Sequence, residues 1–295
     1  MSVLFLVNPA SGNGATGKRW PKLRERAAEL GLHGEVVLSE FPGHLAQVAG
    51  ESGGSLLVVV GGDGTVNEVV NGVAGTEAEI ALLSSGTGED FGRTHGVPDD
   101  FEDAVRTVLE GETRTIDVGR VECEGSPSRF FANVGSVGMS GAVARRANGM
   151  SKALGGRATF FYALTREFIA WQNTEVAVEL DDGLRRDGRL HDVIVANGRF
   201  HGGGMKLAPD AAQDDGLFDV VTIGDVNKLD FLTTAPKLYS GRYLAHPKVE
   251  HLQSSTVAIS AGEPLPLEVD GEPIGTTPAR FEVVPNALRL RVPAA

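Results

Sequence analysis

Gly61-Gly62-Asp63-Gly64-Thr65 is the stretch whose residue types and spacing could do chemistry. Glycines let the backbone come close to phosphate oxygens. A helix starting behind them presents free N–H groups and the positive end of its dipole. Asp63 would repel a phosphate unless a cation lies between them, so the cluster points to a nucleotide phosphate with Mg²⁺. A plain strand-to-helix connection uses the same glycines, and on this stretch alone that alternative stays open. The surrounding elements are the ones such a site needs. Ser55-Leu56-Leu57-Val58-Val59-Val60 reads as a strand buried on both faces. Val66, Val69, Val70 and Val73 fall on one face of a following helix. Open α/β sheets bind ligands at such carboxyl-terminal turns.

The chain has 295 residues, 41% hydrophobic and 22% charged, a globular composition with room for two domains. A net charge of −12 argues against a nucleic-acid binder, which needs a basic footprint. The single cysteine, Cys123, excludes an internal disulfide or a cysteine zinc site and is compatible with a reducing compartment. The histidines show no metal-ligand spacing. Val3–Val7 is too short for a signal peptide, and no apolar run approaches the ~20 residues of a transmembrane segment. The expectation is a cytoplasmic protein that meets membranes only peripherally, at their inner face.

Strand and helix patterns alternate from Val3 to Glu110. Strands are expected at Val3–Val7, Glu35–Leu38, Ser55–Val60 and Ile80–Leu83, and helices from about Pro21, at Gly43–Glu51 and at Asp99–Glu110. Such alternation means a parallel sheet with helices on its faces, and right-handed crossovers bring the Gly-containing loops to one edge. From Thr113 the pattern changes. A helical stretch is expected over Ala142–Trp171, broken near Gly155-Gly156, and another over Lys228–Tyr239. Short turn-bounded strands fill the rest, ending in Ala279–Val284 and Ala287–Val292. The predicted fold is α/β plus all-β. Residues 1–114 form a parallel-sheet nucleotide-binding domain and residues 115–295 an antiparallel β-sandwich domain, with the active site in the cleft between.

With these elements in place the sequence resembles the diacylglycerol kinase and sphingosine kinase-like lipid kinases, above all the soluble bacterial diacylglycerol-kinase-like proteins. Asn8-Pro9-Ala10-Ser11-Gly12, Gly61–Thr65 with Asn67-Glu68-Val69-Val70-Asn71-Gly72, and Gly86-Thr87-Gly88-Glu89-Asp90-Phe91-Gly92-Arg93 carry the likeness in the first half. Gly202-Gly203-Gly204-Met205, Ala208-Pro209, Asp214-Asp215-Gly216-Leu217 and Asp270-Gly271-Glu272 carry it in the second. Glu89 stands where the family usually has Asn, and Gly92 where it usually has Ala. The resemblance implies ATP as phosphoryl donor, Mg²⁺, and a lipid hydroxyl as acceptor at a membrane surface. It implies nucleotide contacts at Asn8, Ser39, Gly61, Gly62, Asp63, Gly64, Thr65, Asn67, Glu68 and Thr87. It further implies metal ligation by the Ala212 and Leu217 carbonyls with the Asp215 carboxylate, and proton acceptance by Glu272.

Phosphoryl transfer needs backbone donors for phosphates, carboxylates for Mg²⁺ and a base near the acceptor hydroxyl. Asp63, Asp117, Asp270 and Glu272 are the candidate acids. If residues 265–272 stay extended, Asp270 and Glu272 face the same way, one helping to hold Mg²⁺ and the other taking the proton. Burial would raise the base's pKa toward neutrality. Asp-Gly is also the strongest short hairpin signal, which would make Asp270-Gly271 a plain turn. Asp117 in its strand could equally face solvent. Arg145, Arg146, Lys152, Arg157 and Arg166, with Phe160, Phe161, Tyr162, Phe168 and Trp171 among or after them, suit an anionic membrane surface or a helix with a buried aromatic face. An NAD kinase, or an inactive nucleotide- or lipid-sensing module, are the alternatives. A homodimer is left open.

Overall fold

The computed structural model describes residues 2–85, 89–150 and 156–294. The chain forms two compact units, Met1–Val118 with Val284–Ala295, and Gly119–Val283.

In the first unit, β1 (Val3–Val7), β2 (Glu35–Leu38), β3 (Leu56–Gly61) and β4 (Glu79–Ser84) alternate with α1 (Ala15–Glu29), α2 (His44–Glu51), α3 (Asp63–Val73), α4 (Asp90–Thr94) and α5 (Phe101–Glu110). The sheet runs β2-β1-β3-β4 with every neighbour parallel. All six residues of β3 are buried, as a strand covered on both faces requires. Phe5, Trp20, Val58, Val60, Ala81, Leu83, Val105 and Val108 form its core. Asp100 caps α5 by accepting from the amides of Glu102 and Asp103 at 3.0 and 3.1 Å. The chain's last stretch joins this sheet too: Arg289 and Leu290 run parallel to Glu79 and Ile80. Buried Glu79 fixes that return by accepting from Arg291 Nε at 2.7 Å and Thr113 Oγ1 at 2.7 Å. Helix α1 begins at Ala15, ahead of the expected start, and carries Pro21 inside it.

The second unit begins within the long strand β5 (Glu112–Glu124). It continues with β6 (Ser126–Phe131), β7 (Val134–Gly138), α6 (Met139–Asn148), α7 (Gly156–Ala170), β8 (Thr174–Leu180), β9 (Arg185–Leu190) and β10 (Asp192–Ala196). The short pair β11 (Phe200–His201) and β12 (Met205–Lys206) follows, then β13 (Phe218–Ile223), α8 (Lys228–Thr234), β14 (Val249–Ser254), β15 (Thr256–Ala261), β16 (Pro266–Val269) and β17 (Glu272–Val292). One layer pairs β14-β13-β10-β7-β16-β17, and the other brings β9, β8, β15 and β17 together. Between them lies an apolar core of Val137, Val193, Val195, Phe218, Leu267, Val178, Val257, Ile259 and Phe281. This is the antiparallel sandwich. Gly119 is obligatory within it, because a Cβ there would sit 2.1 Å from the Phe131 ring.

Two expectations change. The two final strands are one strand of 21 residues, which runs on through Pro285 and a left-handed Asn286 (φ 53°). The helix expected over Lys228–Tyr239 stops being α-helical at Thr234 and continues as a 3₁₀ segment, Ala235–Ser240, where Pro236 lacks the amide an α-turn needs.

One buried acid stands out in the second unit. Asp192 lies at the start of β10 and accepts from the Ser140 amide at 3.1 Å and from the Ser140 hydroxyl, pinning the first turn of α6. Burial pushes its pKa from 3.8 up to about 7. The folded state therefore keeps a proton that the unfolded chain has already lost, and Asp192 withdraws stability as pH rises from about 4 to about 7. Asp192→Asn keeps the acceptor for Ser140. Urea unfolding at several pH values should show the variant gaining on wild type across that window; a gap that does not change with pH would refute the assignment.

Candidate active site

The turn after β3 is built by steric necessity. A Cβ on Gly61 would lie 2.3 Å from Thr65 Oγ1 and 2.6 Å from Thr65 Cβ, so only glycine lets Thr65 fold back against the strand end. Thr65 is buried, and its hydroxyl accepts from Asn8 Nδ2 at 3.2 Å. Asn8 Oδ1 in turn accepts from the Ala10 amide at 3.0 Å. The Asn8 side chain thus locks the loop after β1 to the turn after β3. A second tie joins the first turn of α1 to the loop after β4: Thr16 Oγ1, fully buried, donates to the Ser85 carbonyl at 2.8 Å. Ser39 extends the same edge after β2, its amide donating to Val7 O at 2.8 Å. Four strand ends therefore present their loops together, as the parallel order demands.

At this edge α3 starts at Asp63 behind Gly62, with Gly64 exposed in its first turn. Its amino end offers amides and dipole to an anion. The space directly beneath the turn, lined by Gly61, Asp63, Glu89 and Gly92 among others, is only about 10 Å³, room for one water. Asp63 Oδ1 accepts from the Phe91 amide at 3.1 Å in the first turn of α4. Glu68 Oε1 accepts from the Leu45 amide at 2.9 Å at the start of α2. Asn67 is buried and accepts from Asn71 Nδ2 through its carbonyl at 2.9 Å. Thr87 lies outside the described residues. Glu89 has φ 56°, a left-handed conformation that Asn adopts more readily than Glu, which is the physical content of the departure at this position.

Asp117 belongs to the first unit and is buried, its Oδ1 accepting from the Asn286 amide at 2.8 Å. It does not face solvent; it holds the left-handed Asn286 (φ 53°) of β17.

In the second unit the stretch around Asp270 is not extended. Asp270 (φ 48°) and Gly271 (φ 84°) form a two-residue hairpin turn with Val269 opposite Glu272. The plain-turn alternative is thus the correct one for the backbone, and Asp270 and Glu272 do not share a strand face. Asp270 folds its carboxylate back to accept from the amides of Ala132, Asn133 and Val134 at 2.8, 3.0 and 2.9 Å. Glu272 is exposed at the start of β17, so the burial expected of it is not found.

The Ala132 carbonyl is a meeting point that sequence reading missed. Gln213 Nε2 donates to it at 2.5 Å and Asn197 Nδ2 at 2.9 Å. Asn133 Nδ2 also donates to Phe200 O. The loop with Asp215, Phe200 of β11 and the Asp270 turn therefore converge on residues 132–134. An asparagine at the end of the apolar run Phe130-Phe131-Ala132 was the available signal. Buried Glu268 was also missed. Burial pushes its pKa up, but the charge of His201 and hydrogen bonds from His201, Ser136 and Gly271 outweigh it and hold the carboxyl below its usual range.

Asp215 is exposed and turns on itself, its Oδ1 accepting from the Leu217 amide at 3.0 Å. No group of three or more His, Cys, Asp or Glu among the described residues could hold a metal. The set drawn from the resemblance, two carbonyls and one carboxylate, is all oxygen, the donor type that Mg²⁺ takes.

Residues 2–121 match the family profile described as the diacylglycerol kinase catalytic domain, and residues 133–292 that of the YegS C-terminal NAD kinase beta sandwich-like domain. A diacylglycerol kinase of Staphylococcus carnosus is 29% identical over 69% of this chain and 64% of its own length. A Pseudomonas aeruginosa protein named "probable lipid kinase YegS-like" is 33% identical over 74% of this chain and 69% of its own. The chain thus spans about two thirds of each of these curated relatives. A crystal structure of a diacylglycerol kinase from Bacillus anthracis superposes with a TM-score of 0.73 at 21% identity, covering 99% of this chain and 96% of that one; it shares the fold.

Two glycines at this site should behave oppositely. Gly61→Ala drives a methyl into Thr65 and should cost about 1–3 kcal/mol. Gly92→Ala, whose Cβ would meet Ser84 Oγ at an ordinary 3.5 Å, should gain up to about 1 kcal/mol by improving the helix. Denaturant melts of both variants check this, and equal effects would refute the steric account.

Proposed function

The chain belongs to the diacylglycerol kinase family, and from that premise we propose that it transfers the γ-phosphate of ATP to the hydroxyl of a lipid such as diacylglycerol, with Mg²⁺. The observation that carries this reading is the Gly61–Thr65 turn, locked by Asn8 at the head of α3. The first unit's amides and dipole bind the phosphates, and Ser39, Asn67 and Glu68 flank the turn. Asp63, beside the same helix end, faces the cation side of the phosphates. Ala212 and Leu217 through their carbonyls, and Asp215 through its carboxylate, would hold Mg²⁺ in the second unit. When bound, Mg²⁺ offsets the negative charge that a transferring phosphoryl group presents. Glu272 takes the proton from the acceptor hydroxyl as its oxygen attacks the γ-phosphorus and the bond to ADP breaks. Asp270 holds the backbone from which Glu272 projects, and Asp117 stands as a brace in the first unit.

The lipid calls for an interfacial surface, and the second unit offers one. Phe161, Tyr162 and Ile169 of α7 and Leu229 and Leu232 of α8 are exposed, with Arg145, Arg166 and Lys228 around them. No described helix is long and apolar enough to cross a membrane. Apolar side chains beside cations on a chain of net charge −12 fit peripheral docking on an anionic bilayer. Phe168 is instead part of the fold, stacked on Phe231 with ring centroids 4.7 Å apart, and Arg146 pairs with Glu167.

Incubation with [γ-³²P]ATP and either mixed lipids or NAD, followed by thin-layer separation, should label a lipid. Label in NADP with none in the organic phase would make the protein an NAD kinase, and ATP binding without any turnover would make it a sensor. Glu272→Ala should lower turnover at least about 100-fold with the fold intact. Asp63→Asn keeps the acceptor for Phe91 and should lose Mg²⁺-ATP use without loss of stability, whereas Asp63→Ala should also lose about 1 kcal/mol. In vesicle sedimentation, the Phe161→Ser, Leu229→Ser double variant should bind anionic phospholipid more weakly than wild type; undiminished binding would remove this face from the reading.

A further inference from the structure

Glu268 is 1% exposed, and a carboxylate so far from water persists only where its oxygens are matched by donors. Its Oε1 accepts from Ser136 Oγ at 2.6 Å and lies 3.3 Å from His201 Nε2. Its Oε2 accepts from the Gly271 amide at 2.7 Å. The local backbone explains the aim. The β16–β17 pairing shifts register between Leu267 and Glu268, and such irregularities re-aim side chains. Here the side chain reaches forward to the second residue of the hairpin turn. In a tight hairpin that amide ordinarily points away from the ladder.

The consequence is mechanical. Asp270 is tied to three amides of residues 132–134, and the Gly271 carbonyl accepts from Asn148 Nδ2 at 3.1 Å. Glu268 takes the remaining amide, immediately before Glu272. His201 closes β11, just ahead of the Gly202-Gly203-Gly204 segment, whose three residues all have positive φ. That segment has little stiffness of its own. Through His201 and Glu268 it is joined to the turn.

We propose that Glu268, clamped by Ser136 and His201, is the positioning residue that fixes the direction in which Glu272 projects. The triple-glycine hairpin and the Asp270-Gly271-Glu272 turn then move as one body. This inference rests on the kinase reading for its effect on turnover, but not for its effect on the turn.

The test is Glu268→Gln in the full chain, read in two ways. Glutamine loses the charge and keeps one acceptor oxygen, so holding Gly271 turns its NH₂ onto Ser136 and His201, which the carboxylate takes as donors. Backbone amide exchange at Gly271 and Glu272 should rise about tenfold, with the rest of the second unit unchanged. With diacylglycerol in mixed micelles, kcat should fall roughly 10–100-fold while KM for ATP stays within about twofold, as expected for a misaimed base. His201→Asn, at a less buried position, should give the same pattern more weakly and stands in if Glu268→Gln does not fold. Unchanged local exchange overturns the clamp. Exchange that rises across the whole unit, with kcat and KM both altered, overturns the positioning role in favour of a purely structural one. A wild-type protein that phosphorylates no lipid overturns the kinase reading, while exchange at Gly271 still decides the clamp.

Discussion

Backbone amides at turns and helix starts must find acceptors, and in this protein carboxylates meet that need again and again. Asp63 serves Phe91, Glu68 serves Leu45, Asp117 serves Asn286, and Asp270 serves three consecutive amides. These are the acids that residue type and family likeness single out for chemistry. An acid that braces a loop also has its carboxyl group held in a fixed place. Bracing and metal or phosphate chemistry are therefore compatible at one residue. Conservative amide variants separate the two roles, since they keep an acceptor oxygen and lose the charge.

Close approach is the second constraint. Gly61 exists because Thr65 occupies the space a Cβ would take, and Gly119 because the Phe131 ring does. Gly92 has no such reason, since an ordinary van der Waals gap surrounds it. The sequence symbol is the same in all three cases; the neighbours differ.

The first unit was largely legible. A strand buried on both faces shows as the unbroken apolar run before Gly61, and α5 shows as acids at its start and valines at helical spacing inside. Its polar loops gather at one edge because parallel strands leave no other arrangement. The second unit was legible as a class, short strands around turns, but not in its pairing. Antiparallel partners are chosen by distant side chains, so β17 can serve both layers without any local mark. For Asp270-Gly271 an extended course and a tight turn both stood open, and the turn that its own residue pair signals is the one that forms.

Local chemistry is written in the sequence: where the backbone can approach an anion, where a helix begins, which residues carry charge. Periods of two and 3.6 residues and glycine punctuation express it, because they depend on neighbours along the chain. Tertiary structure alone decided what each charge faces. Ala132 gathers Gln213 and Asn197, Glu268 reaches Gly271 and His201, and Arg291 returns the last strand to Glu79. Most of these pairs are far apart in sequence, and a hydrogen bond leaves no periodic trace in either partner. They become visible only when burial makes an unmatched polar group too costly to leave alone.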